Sequence, residues 1–247
     1  MEAAGGEGVT ISMALTRRST LLGAALLGGC QVVPDMTEDL GPKLSANRTG
    51  YLLFEAPITP QSRDFFVQDT EKLLALKATA LTIFLNSPGG LLKPAQDMSA
   101  HVERMQARGI EVAMHNVGLV ASAACYVFLA AQRRLSIADG TFLFHQAALT
   151  ANATLTSQDI QELAVQLQRT ERALTDIITS RTRITPAEAT SFTRRTVVLS
   201  ATEALRDGVI DGIGPAAVPK GARNFVIRAK SKPGAPAPVT PAATGGT

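Results

Sequence analysis

The chain has 247 residues, of which 45% are hydrophobic and 18% charged. This composition excludes a disordered or fibrous protein and allows one domain with a sizeable core. The 24 basic and 21 acidic residues give a net charge of +3, and no basic block suits a phosphate backbone, so we expect no nucleic-acid partner. Two cysteines cannot form a disulfide framework or a structural zinc site. We predict neither a metal nor a cofactor.

Residues 1–30 have the layout of a bacterial secretory signal. Arg17 and Arg18 precede a short apolar run, and two glycines lead into Cys30. The twin arginine resembles a Tat-type signal, and the ending Leu-Leu-Gly-Gly-Cys resembles a lipoprotein lipobox, in which the cysteine is lipidated. The apolar run is too short to span a bilayer. We therefore expect a lipid anchor at Cys30 on the periplasmic side of a bacterial membrane.

Two details of this N-terminal segment remain open. The alternative to a lipoprotein signal is an apolar N-terminal helix with an incidental cysteine. Translation could begin at Met1 or at Met13, because residues 1–12 add nothing to the signal. Gln31 follows the cysteine, and by the usual bacterial sorting rule this favours the outer membrane over the inner one.

The rest of the chain divides into a tether, one domain and a tail. Residues 31–48 are polar, contain two prolines and a glycine, and are typical of a tether. Residues 49–228 alternate short apolar runs with amphipathic stretches. Residues 229–247 carry four prolines and no large apolar side chain, a composition that predicts a disordered tail.

Strands alternate with helices along the predicted domain, which indicates an α/β fold with a mainly parallel sheet. The predicted strands are 51–54, 80–85, 110–114, 141–144 and 224–228, and the predicted helices are 64–76, 94–107, 121–131 and a long one from Thr156. Capping boxes that start at Thr156, Thr185 and Ser200 mark three helix N-termini.

Three segments at predicted strand ends carry residues that could do chemistry. Asn86-Ser-Pro-Gly-Gly90 could bring backbone N–H groups close to a ligand, although any tight turn could look like this. Ser122 stands at the start of a small-residue helix, where it could be a nucleophile or only a helix cap. His145 ends a buried strand, and a lone histidine is more often structural than catalytic.

The three segments together predict a serine-type active site. A serine nucleophile needs a base within hydrogen-bond reach and two donors for the oxyanion. We assign Ser122 as the nucleophile and His145 as its base. The oxyanion donors are expected to be the backbone N–H groups of Gly90 and of Ala123, which is the residue after the nucleophile at a helix start.

This arrangement resembles the proteolytic subunit of the Clp protease (ClpP), within the ClpP/crotonase superfamily. Asn86-Ser-Pro-Gly-Gly90 is similar to that family's oxyanion turn, Gly118-x-x-Ala-Ser122 to its nucleophile motif, and His145-Gln146 to its histidine motif. The segment 156–183 stands where the family has its long handle helix. Over roughly residues 50–214, the resemblance implies a spiral of βαβ units with a long protruding helix and a serine peptidase activity.

The sequence departs from the family at two important positions. The family's nucleophile is usually followed by Met-Gly, but Ser122 is followed by two alanines. Where the family has its catalytic aspartate, this chain has Thr196, which could accept a hydrogen bond from the imidazole but carries no charge. Thr196 is thus a possible third member, and a Ser-His dyad, another acid such as Asp159, or an inactive enzyme are the alternatives.

Other functions explain less of the pattern. A Ser-Lys mechanism, as in signal-peptide peptidases, has only Lys93 upstream and Lys220 far downstream as candidates. A crotonase-type acyl-CoA enzyme needs no serine–histidine pair. The main alternative is a catalytically impaired lipoprotein that keeps the fold as a binding or assembly module, since such a protein could lose the aspartate freely.

The expected partners follow from the predicted secretory signal and from the family resemblance. A secreted protein would lack the ATP-driven unfoldase, so we expect an ATP-independent peptidase that acts on peptides or unfolded polypeptides. The helix from Thr156 has an apolar stripe that would be costly to leave in water. The stripe comprises Ile160, Leu163, Leu167, Leu174 and Ile177. It packs either on its own domain or in a homo-oligomer, for which a trimer or a single ring is expected.

Overall fold

A computed structural model of the chain describes residues 10–12, 32–34, 48–150 and 154–229. Most of the predicted signal, including Cys30, lies outside the described residues, as does most of the predicted tether. Within the tether, Val32–Pro34 is a short strand. Of the predicted tail only Ala229 is described, and it is the last residue of a strand.

The described residues form eleven strands and six helices. The strands are β1 (Thr10–Ser12), β2 (Val32–Pro34), β3 (Thr49–Glu55), β4 (Ala80–Ser87), β5 (Glu111–Ala121), β6 (Arg133–Ser136), β7 (Thr141–Phe144), β8 (Ala148–Thr150), β9 (Val197–Ser200), β10 (Gly212–Ile213) and β11 (Asn224–Ala229). The helices are α1 (Pro60–Ala75), α2 (Leu92–Ala107), α3 (Ala123–Leu129), α4 (Ser157–Arg181), α5 (Pro186–Phe192) and α6 (Ala201–Arg206).

One mixed sheet organises the domain. Its order is β10-β6-β5-β4-β3-β11-β2, and every neighbouring pair is parallel except β11 and β2. Helix α1 connects β3 to β4, and α2 connects β4 to β5, so the chain advances through successive βαβ units. The predicted α/β fold of the ClpP/crotonase type, with a long helix after the unit that carries the site, is confirmed.

Strand β5 is twice as long as the strand predicted at 110–114, and it changes neighbours along its length. Its residues from Ala113 to Asn116 pair with β6, and those from Leu119 to Ala121 pair with β7. The buried Asn116 amide donates to the carbonyl oxygen of Thr141 and accepts the N–H of Gly118. The buried polar residues His115 and Asn116 interrupt the apolar run, which is why the sequence pattern hid the second half of the strand.

Helix ends follow their local capping chemistry. The capping boxes at Thr156, Thr185 and Ser200 are all present, each with its hydroxyl accepting a backbone N–H of the first turn. A fourth box at Thr59 starts α1 at Pro60, four residues before the predicted start at 64. The sequence pattern does not reveal this box, because the residue at its third helical position is Ser62 instead of an acidic residue or glutamine.

Helix α3 lies in the centre of the core. All seven of its residues are buried, and Phe128 packs edge-on against Phe142 of β7 at a ring-centroid distance of 5.1 Å. A buried helix of this kind must present small residues where backbones approach closely, which explains the alanine-rich sequence after Ser122. The core therefore holds the start of α3, and with it Ser122, rigidly against β7.

The apolar side chains of α4 are divided between core and solvent. Leu174 and Ile178, near the helix C-terminus, are buried in the main core. Ile160 and Val165, in the N-terminal half, are exposed to 56% and 48%. The helix thus docks by one end and projects by the other. None of the described helices combines the length and the apolar character needed to cross a membrane.

Candidate active site

Three neighbouring strands end at one edge of the sheet, and each is followed by a segment that the sequence singled out. The turn Asn86–Gly90 begins at the end of β4, Ser122 follows β5, and His145 follows β7. Strand β5 pairs in parallel with both β4 and β7. The carboxyl edge of a parallel sheet is the usual place for a ligand or active site. The fold therefore gathers the predicted residues at one place.

Ser122 occupies a sharp strand-to-helix turn with unusual backbone angles. Its φ of 59° and ψ of −127° lie in a region that residues with a side chain rarely adopt. The turn is held because the Ser122 N–H donates to the Leu143 carbonyl oxygen at 2.7 Å and its carbonyl accepts the N–H of Cys125 at 3.0 Å. Ser122 is only 2% exposed. Strain of this kind, kept by a rigid frame, is typical of functional residues.

The glycine turn packs directly on the backbone of Ser122. A Cβ at Gly89 would lie 2.6 Å from the Cβ of Ser122 and 3.0 Å from the nitrogen of Ala123. Gly89 has a φ of 87° and Gly90 a φ of 147°, which also favours glycine at both positions. Only a residue without a side chain allows the turn to approach Ser122 this closely.

Hydrogen bonds fix the glycine turn on its other side. Ile58 donates its N–H to the carbonyl of Gly89 at 2.7 Å, and its own carbonyl accepts the N–H of Leu91 at 2.9 Å. The hydroxyl of Ser87 donates to the carbonyl of Ala56 at 2.7 Å. The turn is therefore clamped between β4 and the segment before α1, and its N–H groups keep fixed directions.

Two backbone N–H groups beside Ser122 have no acceptor within the described parts of the chain, namely those of Gly90 and Ala123. Ala123 is the first residue of α3, where N–H groups have no intrahelical partner. Gly90 is flanked by residues whose hydrogen bonds go to Ile58, and these bonds leave its own N–H available. These are the two donors that the sequence predicted for an oxyanion.

His145 leaves the sheet beside Ser122. In the β5–β7 pairing Ala121 lies opposite Leu143. Neighbouring strands lie about 4.8 Å apart, so Ser122 and His145, which follow β5 and β7, leave the sheet from adjacent strands. His145 is 5% exposed. Its Nδ1 lies 2.8 Å from the main-chain oxygen of Gln146. Burial lowers the pKa of His145, and the Gln146 hydrogen bond opposes this shift only in part, so the ring is neutral at pH 7.

Among the described residues, no hydrogen bond joins a candidate third member to the imidazole. Phe144 pairs with Val197 in the antiparallel β7–β9 ladder, so Thr196 lies next to His145 in register. Its side chain is exposed, and in the described part of the chain no hydrogen bond joins it to the ring. The Asp159 carboxylate caps α4 by accepting from the N–H and hydroxyl of Thr156, both at 2.7 Å. A role for Thr196 stays a prediction.

The candidate lysines are also occupied or remote. Lys93 forms an ion pair with Asp97 on the surface, and its side chain is 78% exposed. Lys220 is exposed in the loop before β11. An exposed lysine, one of the two already paired with a carboxylate, is a poor candidate for the base of a buried serine. Within the described residues there is also no group of side chains that could hold a metal ion.

Two surface grooves include residues that follow site residues in the sequence. The lining of one, of about 570 Å³, includes Leu91, the residue after Gly90, and that of the other, of about 650 Å³, includes Gln146, the residue after His145. Helix α4 forms a wall of both, with Gln166 and Thr170 in the first groove and Glu171 among others in the second. Both grooves therefore lie along one helix.

Strand β8 begins three residues after His145 and belongs to a separate two-stranded sheet. Its residues Ala148–Thr150 pair antiparallel with Thr10–Ser12 of the same chain. An edge that accepts one strand presents the backbone groups needed to bind any extended peptide.

Comparison with known proteins identifies a family for most of the described domain. Models of protein families match residues 52–216, more than half of the chain, to the Clp protease family. A search of curated proteins gives no match.

Proposed function

The chain belongs to the Clp protease family, and on that basis we propose that it is an ATP-independent serine peptidase. The observation that carries the proposal is the strained turn at Ser122, beside which two N–H groups have no acceptor in the described residues. An ordinary helix cap would need neither the strain nor the close glycine turn. Ser122 is the proposed nucleophile and His145 the proposed base.

The proposed reaction follows from the placement of these groups. His145 takes the proton of the Ser122 hydroxyl as the oxygen attacks the carbonyl carbon of the substrate. The oxyanion accepts hydrogen bonds from the N–H groups of Gly90 and Ala123. The imidazolium then protonates the leaving amine, and a water molecule, activated by the neutral imidazole, hydrolyses the acyl-enzyme. The two fixed N–H donors stabilise the oxyanion, and the buried neutral imidazole transfers the protons.

The substrate that fits best is an extended polypeptide. The pairing of Thr10–Ser12 with β8 supports this choice, because the same edge could hold a substrate backbone within reach of His145. The grooves that include Leu91 and Gln146 offer room for side chains of such a substrate. Peptides and unfolded chains meet this requirement, and a secreted enzyme would process them without an ATP-driven unfoldase.

A catalytically impaired protein that serves as a binding or assembly module is the second candidate. The observation in its favour is the exposed Thr196 in place of an acid. Loss of the charge of the acid in a serine triad costs about 10⁴ in rate, or about 5.5 kcal/mol in activation free energy. An enzyme slowed to this degree would still react with an activated phosphonate, whereas a protein with an inactive site would not.

We expect a fluorophosphonate to label the purified protein, and the Ser122→Ala variant to remain unlabelled. The reagent reads nucleophile activation directly, because it needs only the attacking oxygen and the oxyanion donors. Mass spectrometry of the labelled peptide identifies the modified residue. Ser180→Ala, which removes an exposed hydroxyl on α4, is the matched control and should label normally. Absence of labelling in the wild type would favour the binding module.

We further propose that the protein is a homo-oligomer, formed through the projecting half of α4. Ile160 and Val165 are exposed there, and burying each such side chain would gain about 1.5–3 kcal/mol. The double variant Ile160→Asp with Val165→Asp should lower the mass measured by light scattering at micromolar concentration. Val198→Asp replaces a valine of similar exposure on β9 and should leave the mass unchanged. A wild-type monomer would reject the proposal.

The final part of the proposal is a lipid anchor at Cys30 on the periplasmic side of a bacterial membrane, with the outer membrane favoured. It is supported by the twin arginine and the Gly-Gly-Cys boundary in the sequence. Cys30→Ala should move the protein from the membrane fraction to the soluble fraction. An unchanged distribution, or a mature protein that retains residues 1–29, would count against the anchor.

A further inference from the structure

The hydrogen bond at Nδ1 determines which nitrogen of His145 carries the proton. Nδ1 lies 2.8 Å from the main-chain oxygen of Gln146. A carbonyl oxygen can only accept a hydrogen bond, so Nδ1 must be the donor. In the neutral imidazole Nε2 then has the lone pair. A base for a serine hydroxyl needs this tautomer, because the free nitrogen must accept the proton.

In a serine triad an acid usually holds the histidine in this tautomer and orientation. Here neither sequence candidate is bonded to the ring. Thr196 is exposed, and Asp159 caps α4. The Nδ1 position, where an acid would bind, is already taken by the main-chain oxygen of Gln146.

We propose that the main-chain carbonyl of Gln146 is the positioning group of the site and holds His145 ready to act as a base without a side-chain acid. The inference rests on the proposed function, in that His145 is the base. It goes further by naming the group that replaces the aspartate. Ser122 and His145 form a dyad, and the third component is backbone.

The position of Gln146 makes its carbonyl a rigid acceptor. The residue lies between the buried His145 and the buried Ala147, which is 3% exposed. Strand β7 ends at Phe144 on one side and β8 starts at Ala148 on the other. Because both flanks are ordered by sheet pairing and packing, the carbonyl cannot turn away without moving a strand. The Gln146 side chain is exposed and is free to vary.

A carbonyl and a carboxylate differ in one respect that matters for rate. Both fix the tautomer and the ring orientation, but only the carboxylate adds a full negative charge beside the imidazolium that forms during reaction. A site of this design is preorganised yet slow. This separates it from a dead site, in which the ring has no reason to keep the reactive tautomer.

Nitrogen-15 NMR of the imidazole rings tests the proposal. The chain has only three histidines, so long-range proton–nitrogen spectra of histidine-labelled protein at about pH 7.5, above the ordinary histidine pKa, resolve each ring, and the His145→Ala spectrum identifies the His145 signals. We expect a protonated Nδ1 and an unprotonated Nε2. The opposite tautomer, or a rapidly exchanging mixture of the two, would overturn the proposal. The same spectrum on Ser122→Ala reads the tautomer in an inactive protein.

Thr196→Val supplies the second arm, because valine removes the hydroxyl at nearly constant shape on an exposed site. The proposal expects the nitrogen shifts of His145 to stay as in the wild type. A change of tautomer would instead make Thr196 the positioning group. The two proposals fail separately: an unlabelled protein with the Nδ1–H tautomer rejects the peptidase, and a labelled protein with the other tautomer rejects the role of Gln146.

Discussion

Gly89→Ala is expected to slow fluorophosphonate labelling of Ser122 by at least about 100-fold, because a displacement of about 1 Å at a reacting group costs this much in rate. The new Cβ would lie 2.5 Å from the Ala121 oxygen and 2.6 Å from the Ser122 Cβ. Carbon atoms rest about 3.5–4.0 Å apart. The turn must therefore move away from Ser122, and the Gly90 N–H moves with it. The nucleophile and one oxyanion donor are displaced together.

Gly109→Ala is the matched control for this variant. Gly109 has a φ of 82°, close to the 87° of Gly89, but a Cβ added there would meet no described atom within 4 Å. The left-handed backbone should cost each variant about 1–2 kcal/mol of folding free energy, and denaturant unfolding should show a larger loss for Gly89→Ala, whose Cβ also clashes. Only Gly89→Ala should lose labelling. If Gly109→Ala slows labelling equally, backbone strain accounts for the effect and the close packing of the turn does not matter.

The position of the site could be read from the sequence because strand ends are marked by composition. Asn86–Gly90 and His145 each follow an apolar run, and Ser122 opens a small-residue helix. Since parallel strands present their carboxyl ends at one edge, the order of strands and helices was enough to bring the three segments together. The combination of a glycine turn, a serine and a histidine then favoured a serine-type active site over other kinds of site.

The orientation of individual groups could not be read in the same way. Side chains alternate along a strand, and on β9 the buried Leu199 alternates with Val198, which is 55% exposed. Thr196 lies two residues before Val198 and shares its exposed face. A sequence position can match a family's acid, but the face toward which it points depends on pairing with β7. The register therefore decides whether Thr196 can reach the imidazole.

Backbone features of the site leave still less trace in the sequence. The carbonyl of Gln146 is present in any residue, and only the path of the chain between β7 and β8 aims it at Nδ1. The strained angles of Ser122 follow from three contacts, with Leu143, Cys125 and the glycine turn. The contacts with Leu143 and with the glycine turn join segments that are distant in the sequence, so a local pattern of residue types does not reveal them. The long α4 was foreseeable from its capping box, but its division between core and solvent was not.

The pH dependence of labelling should follow the neutral form of His145. Burial places its pKa below 6.5, so the base is available throughout the neutral range and labelling is lost as the pH falls through that lower value. Burial also lowers the pKa values of His101 and His115. Below about pH 6.5 the unfolded chain therefore binds more protons than the folded one, and stability falls as well. Circular dichroism at each pH separates loss of the base from unfolding.

His145→Ala is expected to slow labelling and peptide hydrolysis by about 10²–10⁴, the range that general-base catalysis contributes. Because the imidazole is buried beside Ser122, its removal leaves a space of its own shape. Added imidazole should enter that space and restore labelling by at least about tenfold, since it supplies the same base with the same donor toward Gln146. Rescue by the free ring distinguishes a chemical role from a structural one.

The matched control is His101→Ala, which removes another buried histidine. His101 lies in α2, where its Nε2 is 2.9 Å from the hydroxyl of Thr70. Its loss should lower the free energy of unfolding, because it leaves a cavity and takes a partner from that hydroxyl. Labelling at a temperature where the variant is folded should stay at the wild-type rate and should not respond to imidazole. Equal loss of labelling in both variants, without rescue in either, would show that His145 supports the fold and is not the base.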